Sequence, residues 1–533
     1  MTLSPKTFLN VSLLFLAGWT PRAFGADQNL PSQQPEPLSF HELVELATED
    51  PPRGALAEHL NKVLSEPVID NHASLAGGRP FAPVTPSGRM LRVAEWNIER
   101  GLRFDDVQLS LESGGRFTEQ AQKVRRSKRA QRRLASELRT FQGADVIVLD
   151  EVDRGVNRTN YRDVARSLAY ALHFNYAYAV EFIELNRLYL AQRKLDQIPA
   201  ARRAHRDTSP LDPARYLGLE GTTILSRYPI LDARVIRLPE CYDWYHGEIK
   251  ELSRLEQARR WSALKLFDER VRRQVRRGGR VALVAELSVP ELPGHRVTVV
   301  APHLENYCPP SCRRGQIDYV LQQLAGVSNA VIIAGDLNTT GHDDTPTSIR
   351  REIMKRITSY RFWAREALLW FIPVPFAGVI EMPVNYFKNY HDPTAINLPL
   401  LLSNRERPLF DHVQNFRFRD GSAFDFSGKS GLSANGKSHT LANSNQRSWK
   451  GFVPTFSFEK TYHHIVGSYK LDWFFIKAGS ELSEAGAKPR CGHTLKNINT
   501  ALGRRISDHV PLTVDLPLTV AEQSSGTKDV CKF

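Results

Sequence analysis

The sequence predicts an α/β fold, and three observations carry that expectation. From Leu91 onward, short and nearly continuous apolar runs alternate with stretches of helical periodicity, the texture of buried strands between helices. Several of those runs end abruptly in Asn, Asp, Glu or His, as though the strands delivered polar groups to one place. The chain shows no internal repeat, and after the N-terminus no apolar run approaches the roughly 20 residues that span a bilayer. At 533 residues, with 41% hydrophobic and 24% charged, the balance is that of a globular protein, with room for one large domain carrying insertions or for two domains.

Taken in order, the first 26 residues have the shape of a secretory signal peptide: a single early Lys6, an apolar stretch from Phe8 to Trp19, then small residues around Ala23, Gly25 and Ala26. Residues 27–90 form a linker, "NLPSQQPEPLS", and an N-terminal helical arm from Phe40 to Leu64 capped by Ser39, followed by the connector "AGGRPFAPVTPSGR". A domain over 91–518 then opens with the strand "LRVAEWNI". A helix from Lys123 to Phe141 follows, in which Val124, Leu134 and Leu138 share a face, and then the strand "ADVIVLDEV". The strands continue through "EGTTILSRYPI", "GRVALVAELSV" and "HRVTVVAPHL". A helix from Arg313 to Ala325 precedes "NAVIIAGDLN", "YKLDWFFIKA" and "SDHVPLTVDL". Insertions interrupt this pattern near 185–217 and 345–455. The second holds an aromatic, Pro-rich stretch, "LLWFIPVPFAGVIEMP", and a Ser/Gly/Asn-rich one that reads as a surface loop, and residues 519–533 form a C-terminal tail.

A membrane anchor is the lesser reading of the first 26 residues, because their apolar stretch is short, and export would place the cysteines in an oxidising compartment. Cys241, Cys308, Cys312, Cys491 and Cys531 are odd in number, so at least one stays unpaired or bridges to another molecule. In "ENYCPPSCRRGQ", Cys308 and Cys312 flank a Pro-Pro turn closely enough to bridge locally, and no second pair of ligands at matching spacing supports a zinc site.

The net charge is +13, and losing the signal removes only Lys6 and Arg22. A strongly basic chain favours polyanionic partners, nucleic acid or an anionic lipid surface. Two basic runs supply much of the excess. Lys123–Arg139 reads as a helix with a solvated cationic face, and Glu269–Arg280 offers Arg272, Arg273, Arg276 and Arg277 as contacts to a phosphate backbone.

The strand ends carry the chemistry. Asn97 closes "AEWN", Glu151 lies in "VLDEVD", His303 in "APHLEN", Asp336 and Asn338 in "AGDLNTT", Asp472 in "KLDWFF", and Asp508 beside His509 in "SDHVPL". Polar groups at buried strand ends are costly unless they pair, and a shared site is the economical reason for so many. Asp336 and Asn338, two apart on an extended stretch, point the same way.

In this order, "WNIERG", "DEVDRG", "TTILSRYPI", "HLEN", "GDLNTT", "LDWFFI" and "SDHVPL" resemble the motifs of the endonuclease/exonuclease/phosphatase superfamily. That group includes pancreatic-type deoxyribonucleases, abasic-site endonucleases, neutral sphingomyelinases and inositol-polyphosphate phosphatases, and the likeness runs from about Leu91 to Leu516. The resemblance implies a four-layer α-β-β-α sandwich, two mixed sheets packed face to face with the site at one sheet edge. It implies hydrolysis of a phosphate ester by an activated water with a hard divalent cation, Mg²⁺ or Mn²⁺. The resemblance makes Glu151 the main candidate ligand, with Asn97 beside it and Asp508 as a further candidate. His509 handles the water and Asp472 holds its imidazole. Asp336 orients the nucleophile or acts on the leaving group, Asn338 donates to the phosphate, and His303 contacts a nonbridging oxygen. Three functions follow: an exported nuclease, favoured by the basic charge; a secreted phospholipid or sphingomyelin phosphodiesterase; and a binding protein of the same fold without the chemistry, disfavoured because no catalytic position is missing.

Overall fold

A computed structural model of the chain describes residues 30–76, 84–85, 88–113, 115–124, 127–186, 188, 211–250, 261, 274–339, 405–427, 441–448, 451–462, 466–479 and 490–518. The segment expected to be a signal peptide, the C-terminal tail, Arg272, Arg273, the aromatic stretch from Trp370 to Phe376 and most of both insertions lie outside the described residues.

Strands run in chain order as β1 (Val68–Asp70), β2 (Val84–Thr85), β3 (Gly88–Arg100), β4 (Val146–Arg154), β5 (Asn175–Glu184), β6 (Leu219–Ser226), β7 (Ile230–Arg237), β8 (Arg276–Gly278) and β9 (Val281–Ser288). They continue as β10 (Arg296–Pro302), β11 (Ala330–Asp336), β12 (Arg447–Ser448), β13 (Gly451–Phe452), β14 (Phe456–Tyr462), β15 (Val466–Tyr469), β16 (Asp472–Lys477), β17 (Arg490–Thr494) and β18 (Leu512–Pro517). Helices are α1 (Phe40–Leu46), α2 (Gly54–Ser65), α3 (His72–Leu75), α4 (Phe104–Leu111), α5 (Arg116–Val124), α6 (Lys128–Gln142), α7 (Val164–Leu172), α8 (His246–Ile249), α9 (Pro310–Leu324), α10 (Arg407–Asn415) and α11 (Lys496–Asn499).

One sheet follows the order β1-β5-β6-β4-β3-β18-β17, with β2 added to β3 and β8 to β5; the other follows β16-β11-β10-β9-β7. Both are mixed. In the first, β3 and β4 are parallel while β4 and β6 are antiparallel. In the second, β10 and β11 are parallel and the other pairs antiparallel.

The apolar runs are continuous because both faces of each sheet are covered. On β4, Val146 and Val148 point into the layer between the sheets, where they meet Leu283, Val299, Ile332 and Phe474. Ile147 and Leu149 point the other way, among Leu134, Leu138 and Phe141 of α6. On β11 and β16, Val331, Ile333, Trp473 and Phe475 face Ile317 and Leu321 of α9 and Phe410 of α10. The result is helices, sheet, sheet, helices, the four layers the resemblance implies. Close layering also fixes Gly335 in "AGD", since a Cβ there would sit 2.3 Å from the Pro302 carbonyl oxygen on β10.

Three expectations need correction. The helical arm is two helices: Ser39 caps α1 with a reciprocal box to Glu42, and the chain breaks before α2 at Asp50-Pro51-Pro52, where proline cannot donate to a continuing helix. Leu43, Leu46, Leu56, Leu60 and Val63 join the core on the helical side of the first sheet, so the arm is part of the domain. The basic helix is likewise two: α5 ends at Val124, which is 49% exposed, and α6 restarts after Ser127 with Leu134 and Leu138 buried.

The third correction concerns the bridge, which joins Cys241 to Cys312 and leaves Cys308 as a buried thiol. Pro309 is the N-cap of α9 and Cys312 lies in its first turn, N–H to the Pro309 carbonyl at 3.0 Å. The Cys308 Sγ instead turns under the loop toward the Glu305 carbonyl at 3.4 Å. Among the described residues no helix is long and apolar enough to cross a membrane.

Candidate active site

The strands deliver their polar ends to one sheet edge through irregular backbone. The β3–β4 register slips between Asn97 and Arg100 and the β4–β6 register between Leu149 and Val152. There Glu99, Arg100, Glu151 and Asn338 all take positive φ, between 48° and 65°. Side chains rarely adopt that region, so four non-glycine residues held in it around one edge mark a constrained, functional locus. Bulges at a sheet rim re-aim side chains, which here brings both Asn97 and Glu99 to the edge.

At the centre, Asp472 accepts from His509 Nδ1 through both carboxylate oxygens at 2.9 Å. Thr455 Oγ1 accepts the backbone N–H groups of Leu471 and Asp472 and so fixes the start of β16. Burial favours a neutral ring, but Asp472 and then Asp336 outweigh it and hold the His509 imidazole well above its ordinary value. Ser507 orders the turn: its hydroxyl donates to the Asn97 carbonyl at 2.7 Å and accepts from the His509 N–H at 3.1 Å.

Asp336 sits across from this pair. Its Oδ2 lies 3.7 Å from His509 Nε2 and 3.8 Å from His303 Nε2, and it accepts from Asn97 Nδ2 at 3.2 Å. Its Oδ1 accepts the Asn338 N–H at 2.8 Å, its own N–H donates to Asp150 at 2.9 Å, and Asn338 Nδ2 donates to the Leu304 carbonyl at 3.0 Å. Burial, against the pull of His509, pushes Asp336 up, and it pushes Asp150 up to about 7.

His303 has a carboxylate of its own. Glu181 Oε1 is 3.1 Å from His303 Nδ1 and accepts from Thr222 at 2.7 Å, while Glu181 Oε2 accepts from Arg280 at 2.9 Å. Burial would raise Glu181, but His303 and Arg280 hold it down at about 2. Burial and Arg280 would lower His303, but Glu181 and Asp150 hold it up at about 9.

The remaining side of the edge is a cluster of acids. Burial, with Asp508 close by, pushes Glu99 up to about 8, and burial with Glu151 as neighbour raises Asp508. Arg100, at 3.9 Å from Glu151, offsets part of this charge. The Glu99, Glu151 and Asp508 carboxylates, with the Asn97 amide beside them, form an all-oxygen donor set of the kind that suits a hard divalent cation. Metal-ligand atoms lie within 4.8 Å of one another in Asp150–Glu181–His303 and in Asp336–Asp472–His509. In each of these the histidine already holds a carboxylate.

The structure therefore brings together Asn97, Glu151, His303, Asp336, Asn338, Asp472, Asp508 and His509. It does not leave Arg276 and Arg277 of the basic run as a free phosphate-binding surface. Arg276 is buried, paired with Glu220 at 3.0 Å, and its guanidinium lies over the Phe182 ring at 3.6 Å and the Trp244 ring at 3.9 Å. Arg277 pairs with Asp50 at 3.0 Å and stacks on Tyr245. Both stand on β8, whose pairing with β5 lays their side chains against the domain. Sequence reasoning missed Glu99, Glu181 and Arg280. Glu99 had a signal, an acid two residues after Asn97, whereas Glu181 sits inside "YAVEFIE" as an ordinary strand acid. A cavity of about 340 Å³ between α5 and α6, lined by Ala121, Lys128, Arg132 and Leu134 among others, shares no residue with this site.

The endonuclease/exonuclease/phosphatase family model matches residues 94–509. Among solved structures, the chain is similar to an endonuclease/exonuclease/phosphatase from Beutenbergia cavernae DSM 12333, with 15% identity over 82% of this chain and 73% of that one, TM-score 0.35. It is similar to a 3'-5' exonuclease from Neisseria meningitidis, with 13% identity over 80% and 99%, TM-score 0.35. It is also similar to an AP endonuclease from Archaeoglobus fulgidus, with 11% identity over 80% and 99%, TM-score 0.34. No curated protein matches the sequence.

Proposed function

We infer the activity from the premise that the chain belongs to the endonuclease/exonuclease/phosphatase family, whose members are divalent-metal-dependent hydrolases of phosphoester bonds. The reading proposed is an exported, Mg²⁺-dependent phosphodiesterase that cleaves nucleic acid. One observation carries the chemistry: Asp336 Oδ2 stands 3.7 Å from His509 Nε2 and 3.8 Å from His303 Nε2. Those gaps are too long for direct hydrogen bonds and suit a water or a phosphoryl oxygen held between the groups.

In this reading the neutral form of His509, oriented by Asp472, takes the proton of the attacking water, and Asp336 orients that water or serves the leaving oxygen. His303, kept cationic by Glu181, and Asn338 donate to nonbridging oxygens, where charge builds in the transition state. Glu151, Asp508, Asn97 and Glu99 would hold the cation. When bound, it supplies Lewis-acid polarisation of the phosphate and stabilises the leaving oxygen. Support for a nucleic-acid substrate comes from the exposed cations Lys123, Lys128, Arg129, Arg132, Arg133 and Arg139 on α5 and α6.

The test is purified protein against DNA, RNA, sphingomyelin vesicles and an aryl phosphodiester. Activity should vanish with EDTA and return with Mg²⁺ or Mn²⁺, and His509→Ala or Glu151→Gln should each cost orders of magnitude in kcat at an unchanged circular-dichroism spectrum. Full activity in EDTA defeats the mechanism. Phosphocholine release with no nucleic-acid cleavage moves the substrate to lipid.

A further inference from the structure

The loop that opens with His303 is built around Glu305, which is buried. Glu305 Oε2 accepts from Trp244 Nε1 at 2.9 Å, Oε1 accepts the Tyr307 N–H at 2.9 Å, and the Glu305 N–H donates to Gln316 Oε1 at 2.9 Å. With the loop pinned from inside, Asn306 and Tyr307 form its half-exposed outer side. Asn306 Oδ1 accepts from Arg280 Nη2 at 3.4 Å, and the Nη1 of that guanidinium lies 2.8 Å from the His303 ring. The Asn306 amide N–H groups make no hydrogen bond among the described residues. The Tyr307 ring is braced by Tyr242 at 4.5 Å and Trp244 at 5.9 Å between centroids.

A rigid, partly exposed ring and an amide with spare donors thus stand one guanidinium away from the histidine assigned to the phosphate. A flat heteroaromatic with acceptors on its edge satisfies both, the ring by its π face and the amide by its edge. A quaternary ammonium headgroup has no such edge and would leave the Asn306 donors unused.

We propose that Tyr307 and Asn306 form a specificity subsite for the nucleobase flanking the scissile phosphate, Tyr307 stacking on the base and Asn306 donating to its edge. This deepens the nucleic-acid reading and rests on it.

The experiment uses the full-length protein with Mg²⁺ and oligonucleotides that differ only by one abasic tetrahydrofuran residue, placed in turn on either side of the cleavage position. Wild type should lose about tenfold in kcat/KM at one of the two positions, the scale of a single stacked base. Tyr307→Ala should erase that ratio, Tyr307→Phe should keep it, and Asn306→Ala should narrow the preference among the four bases. The wild-type ratio needs no variant, so a poorly folding Tyr307→Ala leaves the proposal exposed to refutation. Equal cleavage of base and abasic positions, or a full ratio in Tyr307→Ala, removes the subsite alone. Absence of any DNA or RNA cleavage removes the nucleic-acid reading, and the subsite with it.

Discussion

Two histidine–carboxylate pairs face each other across Asp336, and they are set to different tasks by their surroundings. His509 hydrogen-bonds Asp472 and faces Asp336, whereas His303 shares Glu181 with Arg280, so Glu181 serves two buried cations. Replacing it by Gln removes the carboxylate that both cations hydrogen-bond and leaves Asp150 with His303 and Glu305 with Arg280, a loss of about 3 kcal/mol, the low end for breaking one side of a buried pair. The loss should depend on pH in a definite direction. His303 is raised from 6.5 to about 9, so its contribution is complete below pH 6.5 and disappears as pH rises through 9. Glu181 is lowered from 4.5 to about 2, so its contribution is complete above pH 4.5 and disappears as pH falls through 2. Urea unfolding of wild type and Glu181→Gln should therefore differ most between these limits, near pH 5 to 6, and the difference should shrink by pH 9.5. A difference that stays constant across that range would contradict the pairing.

At the scale of elements, α6 links substrate charge to catalytic geometry. Its Glu137 accepts from the backbone of Asn497 and Ile498 on α11, and Asn499 in turn holds the turn at Ser507 next to Asp508. The inner side of α6 positions the site while Lys128, Arg129, Arg132 and Arg133 remain exposed on its outer side. If they neutralise phosphates, each contact releases about 0.9 counterion on duplex DNA, so changing all four to Ala should flatten the log–log salt dependence of cleavage by up to about 3–4. Cleavage rates of a long duplex between low and moderate salt measure this. An unaltered slope would take α6 out of substrate binding. The changes should leave the helix standing, since alanine is a better helix former than arginine and none of the four packs in the core.

Across the whole molecule, what could be read in the sequence was whatever burial forces into a pattern. The strands were legible because both faces of each sheet are covered, and the site because polar residues ending such strands demand a common purpose. Pairings between distant segments left no local trace. Arg276 reads as a solvent charge until β8 is laid on β5 beside Glu220, and Glu181 reads as an ordinary strand acid until His303 arrives from another sheet. The same limit misled the cysteines: Cys308 and Cys312 are neighbours in sequence, yet the bridge closes over a separation of 71 to Cys241. Holding a loop of that length is worth about 4 kcal/mol in the chain-entropy account, and it requires an oxidising compartment. Export and the bridge therefore stand or fall in one measurement, made on the chain expressed with its own N-terminus and recovered by cell fractionation. Mass spectrometry should find the N-terminus near residue 27, a non-reduced peptide joining Cys241 to Cys312, and Cys308 alkylated only after unfolding. An intact Met1 in the cytosolic fraction with all three thiols reduced would overturn export, and a Cys308–Cys312 peptide would overturn the pairing.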